Sequence, residues 1–215
     1  MLTPPRIESD EILDEQNAPA AEMQRSLRDL RIINKYFGGI GMYRRMLRRF
    51  SPRSIVDIGA GTCDQLEALR DVPLRVGVDF NIEHLLYLRD RSRVHRVVGD
   101  AHRLPFRDGA VDLVTSSHFF HHFSPDENVG ILGESLRVAR AVAMTDTRRH
   151  YIPLYFMVVL GALRLIGRIT ALDGPASVRQ GYTIDEVRAL SEKVPASKRE
   201  LIRRWPFRWA ILLWK

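Results

Sequence analysis

The sequence predicts an α/β fold built on a parallel, doubly wound sheet, and three observations lead there. Short apolar runs alternate with longer segments of helical spacing from Ser54 onward. Repeated strand–helix units of that kind wind into a parallel sheet through right-handed crossovers. A glycine-containing bend, "GAGT", closes the first apolar run and opens a helical stretch, so a ligand is expected beyond the carboxyl ends of the first strands.

Composition agrees with one globular domain carrying decoration. The 215 residues are 45% hydrophobic and 27% charged, enough to bury a sizeable interior. Lys+Arg 33 against Asp+Glu 26 gives a net charge of +7, but the arginines are spread along the chain, so no nucleic-acid partner is expected from charge alone. One cysteine, Cys63, excludes an internal disulfide and fits a reducing, cytoplasmic compartment. The first twenty residues carry acids and prolines where an export signal carries a basic start and an apolar run, so export is not expected. The longest apolar stretch, Ile152 to Leu163, falls short of the roughly 20 residues a membrane-spanning helix needs.

Residues 1–23 read as a polar N-terminal segment and 24–215 as a single domain. In 24–50, "QRSLRDLRIINKYFGG" repeats Leu27, Leu30, Asn34 and Phe37 at helical spacing and stops at Gly38-Gly39; "MYRRMLRRF" adds a second helix ending at Ser51-Pro52. In 54–146, "SIVDI", "LRVGVD", "VHRVVGD", "VDLVTSS" and "AVAMTD" read as strands, with helices in "CDQLEALRD", "IEHLLYLRDR" and "PDENVGILGESLRVAR". Residues 147–183 lack strand character and are too long for a plain loop, so they read as an insertion over the site with one helix from about Ile152 to Arg168. In 184–215 a helix follows Thr183, an N-cap with Glu186 three residues on, and "RELIRRW" and "FRWAILLWK" form a terminal antiparallel hairpin.

The bend "SIVDIGAGTCD" raises a chemical question, because a loop made for a pyrophosphate does not welcome the carboxylate of Asp57 beside it. A ligand with an ammonium and a sulfonium, and no pyrophosphate, does; S-adenosylmethionine is such a molecule. Gly59, Ala60 and Gly61 let backbone approach it, and Asp57 meets its amino group. Asp79, about 20 residues past the first glycine and followed by Phe80, stands where an acid reaches a ribose. In "GDAHRLPF", Asp100 and the Ala101 N–H are placed for the edge of an adenine. A nicotinamide dinucleotide conflicts with Asp57 and with the missing third glycine.

These motifs resemble, in order, those of the class I S-adenosylmethionine-dependent methyltransferases: "VDIGAGT", "VGVDFN", "GDAHRLPF" and "VDLVTSSHFFHHF". The resemblance spans roughly Ile55 to Asp146. It implies a Rossmann-like seven-stranded sheet with an antiparallel last strand, S-adenosylmethionine as cofactor, and Ser116 among the cofactor-binding residues. Within the class, "HHF" after the fourth strand resembles small-molecule methyltransferases of quinone and polyketide biosynthesis. Two departures stand out: Cys63 occupies the third glycine position, and "RVARAVAMTD" replaces the "PGG" turn before the fifth strand.

His118 and His121 are candidates for a general base that takes a proton from a phenolic acceptor, with pocket shaping as the other reading. His122, Arg149 and Tyr155 are candidate contacts for a hydrophobic small-molecule substrate. No metal is expected, since no acid or cysteine stands at ligand spacing from the histidines in sequence. The helix from Ile152 reads as a lid, or else as a peripheral membrane contact with Arg164 and Arg168 at headgroup level. Asn34, Lys35 and Tyr36 are candidates from a helix that closes over the cofactor. Transfer of a methyl group to an oxygen or carbon of a hydrophobic molecule is the expected function, against a nucleic-acid methyltransferase or an inactive cofactor-binding partner. The text after strand four lacks the Asn/Asp-Pro-Pro-aromatic box that grips a flipped base.

Overall fold

A computed structural model describes residues 3–9, 11–14, 19–36, 39–86 and 93–215. Two helices, α1 (Ala20–Tyr36) and α2 (Gly39–Leu47), precede the alternating unit β1 (Ser54–Ile58), α3 (Asp64–Glu67), β2 (Leu74–Asp79), α4 (Ile82–Leu86), β3 (His95–Val98) and β4 (Val111–Ser117). Then come α5 (Pro125–Val138), β5 (Ala139–Thr147), α6 (Tyr151–Ala162), α7 (Arg168–Gln180), α8 (Ile184–Glu192), β6 (Lys198–Arg204) and β7 (Arg208–Trp214). The seven strands lie in the order β3-β2-β1-β4-β5-β7-β6, and only β7 runs antiparallel to its neighbours. The strand order reverses between β1 and β4, which opens a crevice at their carboxyl ends.

Alternation along the central strands explains the two-sided core. On one face Val56, Ile58, Val114 and Ile211 pack under Ile131 and Leu132 of α5 and Val187 and Leu190 of α8. On the other, Ile55, Leu113, Ala143 and Leu212 pack against Met42, Tyr43 and Met46 of α2 and Leu66 of α3. Because successive side chains point to opposite faces, Asp57 and Thr115 fall on the α2 side and Ser116 on the other. Asp57 and Thr115 are register partners of β1 and β4.

Several sequence expectations need correction. The helix expected over "CDQLEALRD" is one turn, Asp64–Glu67. The single helix expected from Ile152 to Arg168 is two: α6 ends at Ala162, Arg164 turns left-handed (φ 56°), and Gly167 becomes the N-cap of α7. The polar N-terminal segment makes specific contacts with the domain. Arg6 donates to the carbonyls of Gln180 and Phe123, and the Ile12 and Leu13 amides donate to Asp173 of α7, so this stretch is laid across the domain. Phe37 and Gly38 of the expected helix stop lie outside the described residues, as does the end of "IEHLLYLRDR". Thr183 caps α8 through a reciprocal pair with Glu186, as its spacing implies.

Cys63 at the third glycine position has a structural answer. It sits left-handed (φ 55°) at the N-cap of α3, and its thiol fills the space beside Gly77 on β2. A Cβ at Gly77 would meet Cys63 Sγ at 2.5 Å. Burial first, then the charges of Asp57 and Asp79, push the thiol up to about 12, so it packs as an inert group. Gly77→Ala is therefore expected to cost about 1–3 kcal/mol by overpacking. Cys63→Ala in the same chain should recover much of that loss, and a double-mutant cycle from urea unfolding measures the coupling.

Candidate functional site

A cavity of about 980 Å³ opens at the carboxyl ends of β1, β2 and β4. Its polar half is built by the bend after β1. Gly59 (φ +61°) and Gly61 (φ +51°) are left-handed; a Cβ on Gly59 would lie 2.1 Å from the Phe119 ring, whereas one on Gly61 would meet nothing within 4 Å. The first glycine is thus required by packing and by backbone, the second by backbone and by the room it leaves.

Asp57 and Asp79 flank that bend. Asp57 is buried, and Oδ1 accepts from Tyr43 Oη at 2.9 Å and from Thr115 Oγ1 at 2.7 Å. Burial raises its pKa, the two hydroxyls counteract that, and the charge of Asp79 raises it further, for a value of about 6. Asp79 caps the bend itself: Oδ2 accepts from the Gly61 amide at 2.7 Å and Oδ1 from the Asn81 amide at 2.9 Å. Each oxygen keeps a second lone pair for a ligand hydroxyl. Asp100 accepts from the amide and Nδ1 of His102, both at 2.9 Å, which holds its carboxyl below the usual range. Ala60, Ala101 and the exposed Phe80 also line this half.

Ser116 is not among the lining residues; Ser117, one position on, is. Arg149 is also absent from the cavity, because its Nη2 is tied at 2.5 Å to Glu186 of α8. Tyr155 stacks on Tyr151 at the surface, while its neighbours Ile152 and Phe156 line the cavity mouth and are themselves exposed. Ser117, Glu11 and an apolar wall of Ile152, Pro153, Phe156 and Met157 line the cavity in their place. From α1, Leu30, Arg31 and Ile33 line the cavity, and Arg31 pairs with Asp64 at 2.7 Å beside the bend. The side chains of Asn34, Lys35 and Tyr36 lie outside the described residues.

The two candidate bases have opposite protonation. His118 leaves β4 in the left-handed region (φ 55°), a conformation that turns the chain into the 3₁₀ turn Phe120–His122. Burial and then the charge of Arg208 push its pKa well below the ordinary imidazole value. Its Nε2 is buried without a hydrogen-bond partner among the described residues, and Nδ1 lies 3.5 Å from Thr147 Oγ1. His121 is the reverse. Burial alone would lower its pKa, but Asp146 (2.8 Å to Nδ1) and Glu11 (3.4 Å to Nε2) override it and raise it to about 10. A ring that donates at both nitrogens has no free lone pair with which to accept a proton near neutrality.

Glu11, His121 and Asp146 instead form a clasp between the N-terminal segment and the end of β5, reinforced by Ser177 Oγ donating to Glu11 at 2.5 Å. His122 stacks on His121 with ring centroids 4.2 Å apart and lines the cavity. Glu11 supplies the acid that sequence spacing could not place near the histidines, and Glu11, His121 and His122 could together hold a metal ion by their geometry. Two carboxylates already balance the His121 charge.

A glycine bend between two carboxylates, at the reversal point of a β3-β2-β1-β4-β5-β7-β6 sheet, defines an S-adenosylmethionine-dependent methyltransferase architecture. Residues 56–142 match the methyltransferase-domain family, and the fold and the order of the motifs are those of a class I S-adenosylmethionine-dependent methyltransferase. It is 30% identical to demethylmenaquinone methyltransferases of Mycobacterium sp. strains KMS, JLS and MCS, with 70% of this chain and 66% of each relative covered. The chain therefore spans just under two thirds of their length. Among solved structures it is similar to a SAM-dependent methyltransferase from Aquifex aeolicus, with a TM-score of 0.58, 17% identity, and 80% of this chain and 88% of that one covered. It is also similar to the plantazolicin methyltransferase BpumL, solved with a monoazolic desmethylPZN analog and SAH, with a TM-score of 0.63 and 14% identity; 90% and 96% of the two chains are covered.

The His121 clasp gives a signed pH prediction. Its folded pKa lies above the unfolded value, so its stabilisation is full below about pH 6.5 and is lost as pH rises through about 10. The lowered pKa of Glu11 and of Asp146 adds stability that is lost as pH falls below the carboxylate range. Glu11→Gln is expected to lower the His121 midpoint by about one unit or more, read by NMR titration of the ring. Its destabilising effect should be largest near pH 6 and fade towards pH 10.

Proposed function

We propose that this chain transfers the methyl group of S-adenosylmethionine to an oxygen, or a carbon, of a hydrophobic small molecule such as a phenolic, quinone or polyketide intermediate. The observation that carries the reading is the two-sided cavity. Carboxylates and a bare glycine bend line one half, and Ile152, Pro153, Phe156, Met157 and Phe119 line the other. The first half suits a cationic cofactor, the second an apolar acceptor. The 30% likeness to demethylmenaquinone methyltransferases supports a quinone-like acceptor. The buried thiol of Cys63 fits a cytoplasmic enzyme.

The cofactor, when bound, supplies an electrophilic methyl on a positively charged sulfur. Asp57 holds the amino group, and the positive charge relieves the burial and repulsion that raise its pKa in the free protein. Asp79 receives ribose hydroxyls on its remaining lone pairs while fixing the bend through the Gly61 amide. Asp100 and Ala101 border the base, with Phe80 beside it.

His118 is the base. Neutral at physiological pH, with Nε2 unpartnered among the described residues, it takes the proton of the acceptor hydroxyl as the oxygen lone pair forms its bond to carbon. With the methyl group supplied by the bound cofactor, the acceptor's proton and its positive charge would reside on the imidazole. Asp146 Oδ1, 3.8 Å from Nδ1, stabilises that imidazolium. Residues of α1, α6 and the N-terminal segment line the cavity and would restrict how the acceptor lies within it.

Two outcomes test the reading. S-adenosylhomocysteine affinity, measured by calorimetry, should weaken about tenfold between pH 7 and pH 5 as Asp57 protonates. Asp57→Asn should weaken it about 10–100-fold at pH 7 and flatten that profile. At saturating cofactor, His118→Ala should lower turnover of hydrophobic phenols or hydroquinones by about 10²–10⁴ and leave S-adenosylhomocysteine affinity intact. A pH-independent affinity removes the Asp57 role, and wild-type turnover in His118→Ala removes the base.

A further inference from the structure

The helix α6, "YIPLYFMVVLGA", has no charged residue on any face and yet buries only Met157. Ile152, Tyr155, Phe156, Val158 and Val159 are exposed, and at 3.6 residues per turn they cover roughly 160° of the helix circumference. An ordinary lid turns its apolar stripe inward and shows polar residues outside. The apolar surface continues past the end of α6 through Leu163 and Leu165, 63% and 64% exposed, and a contiguous patch of this kind marks a contact surface.

Basic residues bracket the patch. At its far end Arg164 and Arg168 are exposed. At its near end the β6–β7 turn brings Arg203, Arg204 and Trp205, the last 77% exposed. That turn touches the start of α6: Phe207 packs 4.7 Å from His150, the α6 N-cap, and the Arg148 guanidinium lies over the Phe207 ring at 5.2 Å. The charges of Arg148 and Arg203 both bear on His150. An apolar strip with a Trp at its edge and arginines at both ends is the arrangement of a helix lying in the interface of an anionic bilayer. In a two-fold contact with a second copy, the apolar strips would meet only by bringing the like-charged ends of two patches close together. Acidic headgroups complement the same ends.

We propose that α6 and the β6–β7 turn seat this protein on an anionic lipid surface, with the cavity mouth facing the acyl chains. The mouth is placed for it, since Ile152, Pro153 and Phe156 of α6 and Trp205, Pro206 and Phe207 of the turn line the cavity. An acceptor with a long apolar tail then passes from the bilayer into the cavity without crossing water.

Vesicle co-sedimentation tests this independently of the chemistry inside the cavity. The full chain is expected to bind phosphatidylcholine vesicles carrying about 30% phosphatidylglycerol at least about tenfold more than pure phosphatidylcholine, with binding weakened by salt. Val159→Glu combined with Leu163→Glu, both exposed and outside the cavity lining, should abolish binding to either vesicle. Arg164→Glu combined with Arg168→Glu should remove the preference for anionic lipid. Unchanged thermal melting and S-adenosylhomocysteine affinity establish that both variants are folded. The proposal is overturned if the wild-type chain binds neither vesicle above background, or if neither double variant changes binding. A stable dimer in light scattering that Val159→Glu with Leu163→Glu splits, with no vesicle binding by the wild type, overturns it in favour of a second copy.

Discussion

The structure depends on keeping a carboxylate buried at the reversal point of the sheet. Asp57 is placed there by β1, and burying an ionised acid is expensive unless hydrogen bonds or a counter-charge offset it. The fold supplies two hydroxyls, Tyr43 from α2 and Thr115 from β4, which also contact each other. They lower the pKa only part of the way, and the value remains about 6. The rest of the compensation is left to whatever occupies the cavity. A buried acid left under-compensated in this way favours a cation in the cavity. Asp79 adds to the repulsion while stiffening the bend through the Gly61 amide, so the electrostatic demand and the backbone geometry are set by one residue pair.

The second half of the design separates two histidines three residues apart. His118 and His121 come from one turn after β4, yet Arg208 and burial hold the first neutral while Asp146 and Glu11 hold the second charged. Groups whose pKa values are driven apart by their surroundings take different tasks. Here one is neutral and the other is a cation paired with carboxylates of the N-terminal segment and β5. Asp146 serves both, bonding to His121 through Oδ2 and facing His118 through Oδ1, so the clasp and the proposed base share one carboxylate.

Local features were legible in the sequence, and long-range ones were not. Strands β1, β2 and β4 fall on the apolar runs that announce them, and the bend, Asp79 and Asp100 stand at fixed offsets from those runs, because strand length and turn chemistry are set by a few neighbouring residues. Ser116 and Ser117 stand one position apart, which along a strand moves a side chain to the other face, so local spacing alone does not tell which of them lines the cavity. Glu11 lies 110 positions before His121, and Tyr43 lies 72 before Thr115; nothing in the local pattern brings such partners together. Arg149 has the residue type of an anion clamp, but only the packing of α8 reveals that Glu186 claims it. The break between α6 and α7 was hidden because Leu163 and Leu165 continue the apolar pattern through a left-handed residue at Arg164.

The additions to the core follow from what the core lacks. A seven-stranded sheet of this topology presents its site at an open edge, and the two halves of the cavity need different covers. Over the polar half, α1 is anchored by Arg31 on Asp64, beside the cofactor bend, so the cover is tied to the element it shields. Over the apolar half, α6 and α7 are held on by the N-terminal segment, whose Leu13 packs with Met23, Leu27 and Ile169 and whose Glu11 closes on His121. The segment thus joins both covers to the end of β5. Beneath these covers Asp57 and Asp146 are both buried, and a low-dielectric surrounding makes their fixed charges count for more than they would in solvent.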